Sequence, residues 1–267
     1  MPYCRVNEIN LYYELHGKSE RETLVLSNGI LMSTASWNFQ IKELSRYFQV
    51  LVYDCRGMWQ SDHPAGQYSM EQHADDLSEL LSALSIEKAH IAGISYGSEI
   101  SMMFALKFPQ KTKTLMVFDG VSQIDPLLKS FGDTWVAAAE QKNAALLLKV
   151  TTPLNFSEDW IIKNQKIMPI LEENYRHLDF DGFIQLMDSF YRLNITEQLP
   201  NIQVPTMIVV GEKDILKPRS YSEKIAKLIP GSEFYVVPGS GHALCLEKPQ
   251  EFNSLVLGFV HKYANHE

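Results

Sequence analysis

The chain has 267 residues, 45% of them hydrophobic, and its charged side chains sum to 24 − 32 = −8. A surface of that sign repels polyanions, so no nucleic-acid partner is expected. The apolar runs are strand-sized, far short of the roughly 18 residues a membrane-spanning helix needs, so no membrane span is expected.

In chain order, Ile9 to Leu15 alternates imperfectly and predicts an outer strand, with Gly17 and Ser19 in the following turn. Thr23 to Ser27 is a short apolar strand ending at Asn28-Gly29. A helix is predicted from near Ser36, with Trp37, Ile41, Leu44 and Phe48 at helical spacing, and Gln49 to Tyr53 as the next strand. From Ser69 to Leu84, Met70, Ala74, Leu77, Leu81 and Leu84 share one face, with acidic residues largely off it, which predicts a surface helix on something flat. His90 to Ile94 predicts a strand, Ser98 to Phe108 a helix stopped by Pro109, and Thr114 to Asp119 another strand. Strands alternating with helices of this length imply right-handed crossovers and a parallel sheet.

After Asp119 the rhythm changes. Helix-like segments at Trp135 to Leu148, Trp160 to Met168 and Phe183 to Leu193 follow with no convincing strand between them. The stretch is too long for an ordinary connection and reads as an inserted helical cap, or else as a decorated crossover with no role at the site. The strand pattern resumes at Thr206 to Val210, followed by a helix over Ser220 to Leu228, a last strand over Glu233 to Val237 and a closing helix over Pro249 to Tyr263. The expected division is a core of 1–120 and 201–267 with a cap of 121–200.

The strongest motif is Gly93-Ile94-Ser95-Tyr96-Gly97, placed between an apolar strand and a helix. Five such letters occur by chance and can mark a simple tight turn. In this context they predict a strand-to-helix elbow that projects Ser95 above the sheet, with the helix dipole favouring negative charge beside it. A serine hydroxyl needs a base, and the base needs an orienting anion. Asp214 closes Gly211-Glu212-Lys213-Asp214 after one predicted strand, and His242 closes Gly239-Ser240-Gly241-His242 after the next. Both fall where parallel sheets gather ligands, and the chain order Ser, Asp, His suits an elbow of this kind. Asp214 read alone is also an ordinary loop or helix-capping acid, and His242 an ordinary loop histidine.

Asp119, at another strand end, is the backup acid. His16, His63, His73, His90 and His177 lack a matching setting, His261 and His266 belong to the tail, and Glu212 and Asp62 read as solvated or structural. Cys4, Cys55 and Cys245 show no metal-ligand spacing and cannot all pair, so no metal and no disulfide framework are expected. With no apolar leader at the first residues, cytoplasmic residence is the expectation.

Taken together these residues resemble the capped α/β-hydrolase superfamily, in the branch of 3-oxoadipate enol-lactonases, small carboxylesterases, cofactor-free haloperoxidase-like proteins and carbon–carbon bond hydrolases. The resemblance spans nearly the whole chain. It implies a mostly parallel eight-stranded sheet flanked by helices, no cofactor, and a small-molecule acyl substrate. The superfamily's oxyanion loop matches Asn28-Gly29-Ile30, which implies oxyanion donors at the Ile30 and Tyr96 amides. Trp37 matches an aromatic residue that supports the core. The loop Asp54-Cys55-Arg56-Gly57-Met58-Trp59-Gln60-Ser61 matches a family pattern in which a second glycine stands at Trp59, whose ring either lines the pocket or covers the sheet edge. Asp54 and Arg56 are expected to brace one another.

The implied function is two-step hydrolysis of a small, moderately apolar ester, lactone or thioester. Ser95 is the nucleophile, His242 the base and acid, and Asp214 the anion orienting His242. Asn28, Gly29, Trp59, Trp135, Met168 and Met187 are the expected pocket residues. Carbon–carbon hydrolysis, acyl transfer by the same triad, and a binding protein with little turnover remain open alternatives.

Overall fold

The computed structural model describes residues 3–264; His266, assigned to the tail above, lies outside them. Eight strands form one sheet in the order β1-β2-β4-β3-β5-β6-β7-β8. β1 (Tyr3–Val6) and β2 (Ile9–His16) are antiparallel, and β2 pairs antiparallel with β4 (Gln49–Tyr53). β3 (Thr23–Ser27), β5 (Ala89–Ile94), β6 (Thr112–Phe118), β7 (Thr206–Gly211) and β8 (Glu233–Val237) complete a parallel run with β4. The predicted outer strand is therefore second from the edge. β1 escaped prediction because its four residues are too few for alternation to show, and only Val6 is buried.

The sheet's period of two divides the interior into two cores. Val25, Leu51, Ile91, Leu115, Val117 and Ile208 face one side, packed with α2 (Met70–Ala83), α3 (Tyr96–Lys107) and α9 (Arg219–Leu228). Leu24, Leu26, Val50, Val52, Ala92, Ile94, Met116 and Val209 face the other, against α1 (Asn38–Leu44), α10 (Leu244–Glu247) and α11 (Pro249–Ala264). A strand covered on both faces reads as a continuous apolar run, as Thr23–Ser27 and Thr206–Gly211 do. Ser69 caps α2 by accepting the Gln72 N–H, which fixes the start of that helix.

Between β6 and β7 run α4 (Pro126–Glu140), α5 (Ala144–Asn155), α6 (Glu158–Lys163), α7 (Met168–Arg176) and α8 (Phe180–Tyr191). The helix expected over Trp135 to Leu148 is two helices. Lys142 takes φ +49, outside the helical range, and the Asn143 side chain starts α5 by accepting the Leu146 N–H. Among the described residues no helix is long and apolar enough to cross a membrane.

Candidate active site

The site is built at the C-terminal ends of β5, β7 and β8. Ser95 takes φ +54 and ψ −120, a conformation costly for a residue with a side chain. The neighbouring glycines make the turn possible. A Cβ on Gly93 would lie 2.1 Å from the Gly97 carbonyl oxygen, and one on Gly97 would lie 2.0 Å from that of Ser27. The Ser95 N–H donates to the Phe118 carbonyl at 2.9 Å, and Ser98 Oγ donates to the Gly93 and Phe118 carbonyl region at 2.7 Å. The bend is thus held from the adjacent strand.

Asp214 follows β7, and the loop carrying His242 follows β8. Asp214 Oδ1 accepts the Lys217 N–H at 2.8 Å, while Oδ2 accepts from His242 Nδ1 at 2.7 Å. Both side chains are buried. With Nδ1–H committed to the carboxylate, Nε2 of a neutral imidazole is left as the acceptor. His242 Nε2 is buried with no hydrogen-bond partner among the described residues, and His242 and Ser95 line the same cavity of about 130 Å³. That leaves an unpartnered imidazole nitrogen on a residue that shares a cavity with the Ser95 hydroxyl.

The His242 loop is fastened to the helical insertion. Glu247 accepts the N–H groups of Gly241 at 3.1 Å and Ser157 at 3.0 Å, together with the Ser157 hydroxyl. The Ala243 N–H donates to the Asn155 carbonyl at 2.7 Å.

The amides expected to receive an oxyanion flank Ser95. Tyr96 is the first residue of α3, where an N–H has no intrahelical acceptor. Its ring is fixed by a 2.8 Å hydrogen bond between its hydroxyl and His73 Nε2. Burial, aided by nearby Arg56, lowers the His73 pKa to about 3, so this histidine stays neutral. Ile30 lies in a turn closed by the Met32 N–H on the Gly29 carbonyl at 2.9 Å. Both Ile30 and Tyr96 line an inner chamber with Ser95.

Of the six expected pocket residues, Gly29 lines the outer cavity, Met187 the inner chamber and Trp135 both. Asn28 does neither. Its side chain donates to Asp54 Oδ1 at 3.0 Å and accepts the Trp37 indole N–H at 2.7 Å, so it braces the oxyanion loop from behind. Trp59 lines neither space: it packs against the core in a loop where it takes φ +40, the region that the family's glycine suits. Met168 opens α7 on an outer groove, about 10 Å along the helix axis from Tyr175, which does line the outer cavity.

Asp54 and Arg56 do not brace one another. Arg56 makes a bidentate pair with Asp76 at 2.8 and 2.9 Å, both side chains buried. Asp54 instead accepts from the Thr34 N–H and Asn28, and burial lifts its pKa to about 6.

Asp119, the backup acid, lies beside the triad. Asp119, Asp214 and His242 place one donor atom each within 4.8 Å of one another, a cluster the sequence did not reveal. Asp214 already uses both oxygens and Asp119 Oδ1 accepts the Gly211 N–H at 2.8 Å, which suits an acid pair behind a histidine better than a metal ion. Burial, and next the Asp214 charge, push the Asp119 carboxyl well above the usual range.

Sequence reasoning missed Glu99 and Lys217. Lys217 Nζ lies 3.0 Å from both Glu99 oxygens with both side chains buried, and Lys217 lines the inner chamber. The available signal was spacing, with Glu99 one helical turn after Ser95 and Lys217 three residues after Asp214.

Residues 22–249 match the family model described as alpha/beta hydrolase fold. Over 257 residues the chain is 28% identical to the proposed carbamate hydrolase RutD of Caulobacter sp. strain K31, covering 94% of this chain and 95% of that one. It is 31% identical to MGS-M2, an alpha/beta hydrolase enzyme from a Medee basin deep-sea metagenome library, with a TM-score of 0.92 over 97% of each chain. An enol-lactonase from Burkholderia xenovorans LB400 shares the fold at a TM-score of 0.91 and 23% identity, over 97% of this chain and 100% of that one.

Proposed function

The chain belongs to the α/β-hydrolase family, and on that premise we propose that it is a serine hydrolase cleaving small carboxylic esters, lactones or thioesters through an acyl-enzyme. The observation that carries the reading is the buried 2.7 Å bond between Asp214 and His242 Nδ1, which leaves Nε2 unpartnered on a residue lining the same cavity as Ser95. His242 takes the proton as Ser95 Oγ attacks the carbonyl carbon, and the Ile30 and Tyr96 amides receive the oxyanion. His242 then protonates the leaving group, and the same histidine activates the water that frees the acyl group from Ser95. Residues 121–200 act as the cap over a core of 1–120 and 201–267, with Trp135 and Met187 among the side chains it contributes to the pocket.

A second substrate class, carbamates, is favoured by the 28% identity to RutD over nearly the full length. The same attack on a carbamate carbonyl gives a carbamoyl-enzyme.

Labelling by a serine-directed fluorophosphonate, with steady-state turnover of chromogenic acyl esters and an aryl carbamate, tests both. Wild type is expected to label and turn over, and Ser95→Ala to do neither while keeping its circular dichroism spectrum. Undiminished labelling of the folded Ser95→Ala variant removes Ser95 from the role.

A further inference from the structure

Ser95, Asp214 and His242 stand at three separate strand ends, and between β7 and α9 residues 212–218 form neither helix nor strand. Asp214 lies in that connection, outside the sheet ladder. Its carboxylate is held from the backbone: the Lys217 N–H donates to Asp214 Oδ1 at 2.8 Å, which leaves Oδ2 to accept from His242 Nδ1 at 2.7 Å. The side chain of the same lysine reaches the nucleophile's helix. Lys217 Nζ lies 3.0 Å from both carboxylate oxygens of Glu99, which follows Ser95 by one turn of α3.

Glu99 holds the neighbouring connection as well. Its Oε1 accepts the Val121 N–H at 2.8 Å, two residues past Asp119. One carboxylate therefore joins the helix behind Ser95 to the connections after β6 and β7, the two that carry Asp119 and Asp214. From the insertion the ammonium is covered by Phe190, whose ring centroid lies 4.9 Å from Nζ. Both charged side chains are buried, Lys217 at 2% exposure and Glu99 at 0%. Taking two charges out of water offsets most of their attraction, so a well-packed apolar pair would hold the fold about as well. An apolar pair does not supply direction. Ammonium donors facing two carboxylate oxygens fix where the 214–217 segment stands relative to Ser95.

We propose that Glu99 and Lys217 are positioning residues of the triad: Lys217 takes its place from a carboxylate on the nucleophile's own helix, and its N–H holds Asp214 in line with His242. This rests on the serine-hydrolase reading of Ser95, Asp214 and His242. In this role neither side chain gives or takes a proton. Without the pair the Asp214 carboxylate is free to turn and the His242 ring loses its fixed aim. Proton transfer from Ser95 then suffers while binding of the ester does not.

The test uses the full chain carrying Lys217→Met, which removes the ammonium and keeps the backbone N–H on Asp214. Burial already pushes the Glu99 pKa up, so the carboxyl left behind takes up a proton and still accepts the Val121 N–H. Hydrolysis of 4-nitrophenyl acetate is expected to lose about 100-fold in kcat with KM within about threefold of wild type, the pattern of a contribution made only in the transition state. The proton between His242 Nδ1 and Asp214 is read in parallel by 1H NMR of protein labelled with 15N-histidine. In wild type it is expected far downfield of the amide region, as befits a buried, charge-assisted hydrogen bond. In Lys217→Met it is expected to move upfield or to vanish by exchange with solvent.

A folded Lys217→Met variant with the wild-type kcat overturns the inference and leaves the hydrolase reading intact. So does an unmoved Nδ1 proton in a variant of lowered kcat, which places the loss elsewhere. A raised KM at unchanged kcat makes Lys217 a binding residue and overturns it too. Wild type without the downfield proton has no ordered Asp214–His242 bond to position, and that also overturns it. If Lys217→Met does not fold, Glu99→Gln/Lys217→Met, which buries no charge and keeps an acceptor for Val121, is judged by the same criteria. If wild type turns over no ester, the failure belongs to the hydrolase reading, and the Nδ1 proton alone decides the positioning.

Discussion

Asp119 and Asp214 end adjacent strands as a buried pair of carboxyl groups, Asp119 receiving the Gly211 N–H and Asp214 receiving His242. Two like charges so close in a dry setting are not both held, and burial together with the Asp214 charge raises the Asp119 pKa well above that of a free aspartate. The folded protein then binds a proton that the unfolded chain releases near pH 4. Stability from this group is complete below the unfolded pKa and declines as pH rises toward the folded value, at about 1.4 kcal/mol per pH unit. Asp119→Asn keeps an acceptor for Gly211, and asparagine tolerates the φ of +52 found there. The variant is expected to become progressively more stable than wild type as pH rises above about 4. Urea unfolding of both proteins across that range checks it, and parallel pH profiles would show that Asp119 is ionised in the fold.

The same pair separates the roles of the two acids. Asp214→Asn reverses the hydrogen bond that sets the His242 tautomer, and by analogy with other triads is expected to lower kcat by about 10⁴. Asp119→Asn, which leaves the Asp214–His242 bond in place, is expected to lose less than about tenfold. Steady-state ester hydrolysis of the two variants decides; the opposite order would make Asp119 the acid of the triad.

Much of this was legible in the sequence because the cues were local. Gly93 and Gly97 flank Ser95 closely enough that backbone sterics alone demand them, Asp214 follows an apolar run that a strand covered on both faces explains, and His242 follows the short edge strand beside it. The pocket was not legible, because lining depends on where an insertion lands. Trp135 and Leu128 reach the chamber from α4 and Phe190 from α8, whereas Met168, at the start of α7, ends at an outer groove. Ion-pair partners were missed for a related reason. Arg56 and Asp76 are 20 positions apart and meet only when α2 packs on the sheet, so the nearer Asp54 looked like the partner.

Asp76→Ala strands a buried guanidinium and is expected to destabilise the fold by about 3–5 kcal/mol, whereas Asp76→Leu/Arg56→Met, which removes both charges, should cost much less. Asp54→Asn keeps one acceptor oxygen for the loop and leaves the Arg56 pair intact, so a smaller loss is expected than for Asp76→Ala. Denaturant midpoints with unchanged slopes measure all three. An Asp76→Ala cost no larger than that of Asp54→Asn would mean that Arg56 finds another partner.

Glu247 is the remaining place where a change outside the triad should be felt in turnover. Its carboxylate joins Gly241, directly before His242, to Ser157 of the insertion, so one side chain sets both the histidine loop and the approach of α6. Glu247→Ala leaves the two N–H groups without that acceptor and is expected to cost about 1–3 kcal/mol of stability. The larger expected effect is on chemistry: a His242 ring displaced by even 1 Å lowers kcat/KM by about 10²-fold. Glu247→Gln retains an acceptor oxygen and should recover most of the activity. Thermal melts and ester kinetics on both variants separate the outcomes. If Glu247→Ala lowers the melting temperature while kcat/KM stays at the wild-type value, Glu247 holds the fold but does not set the position of His242.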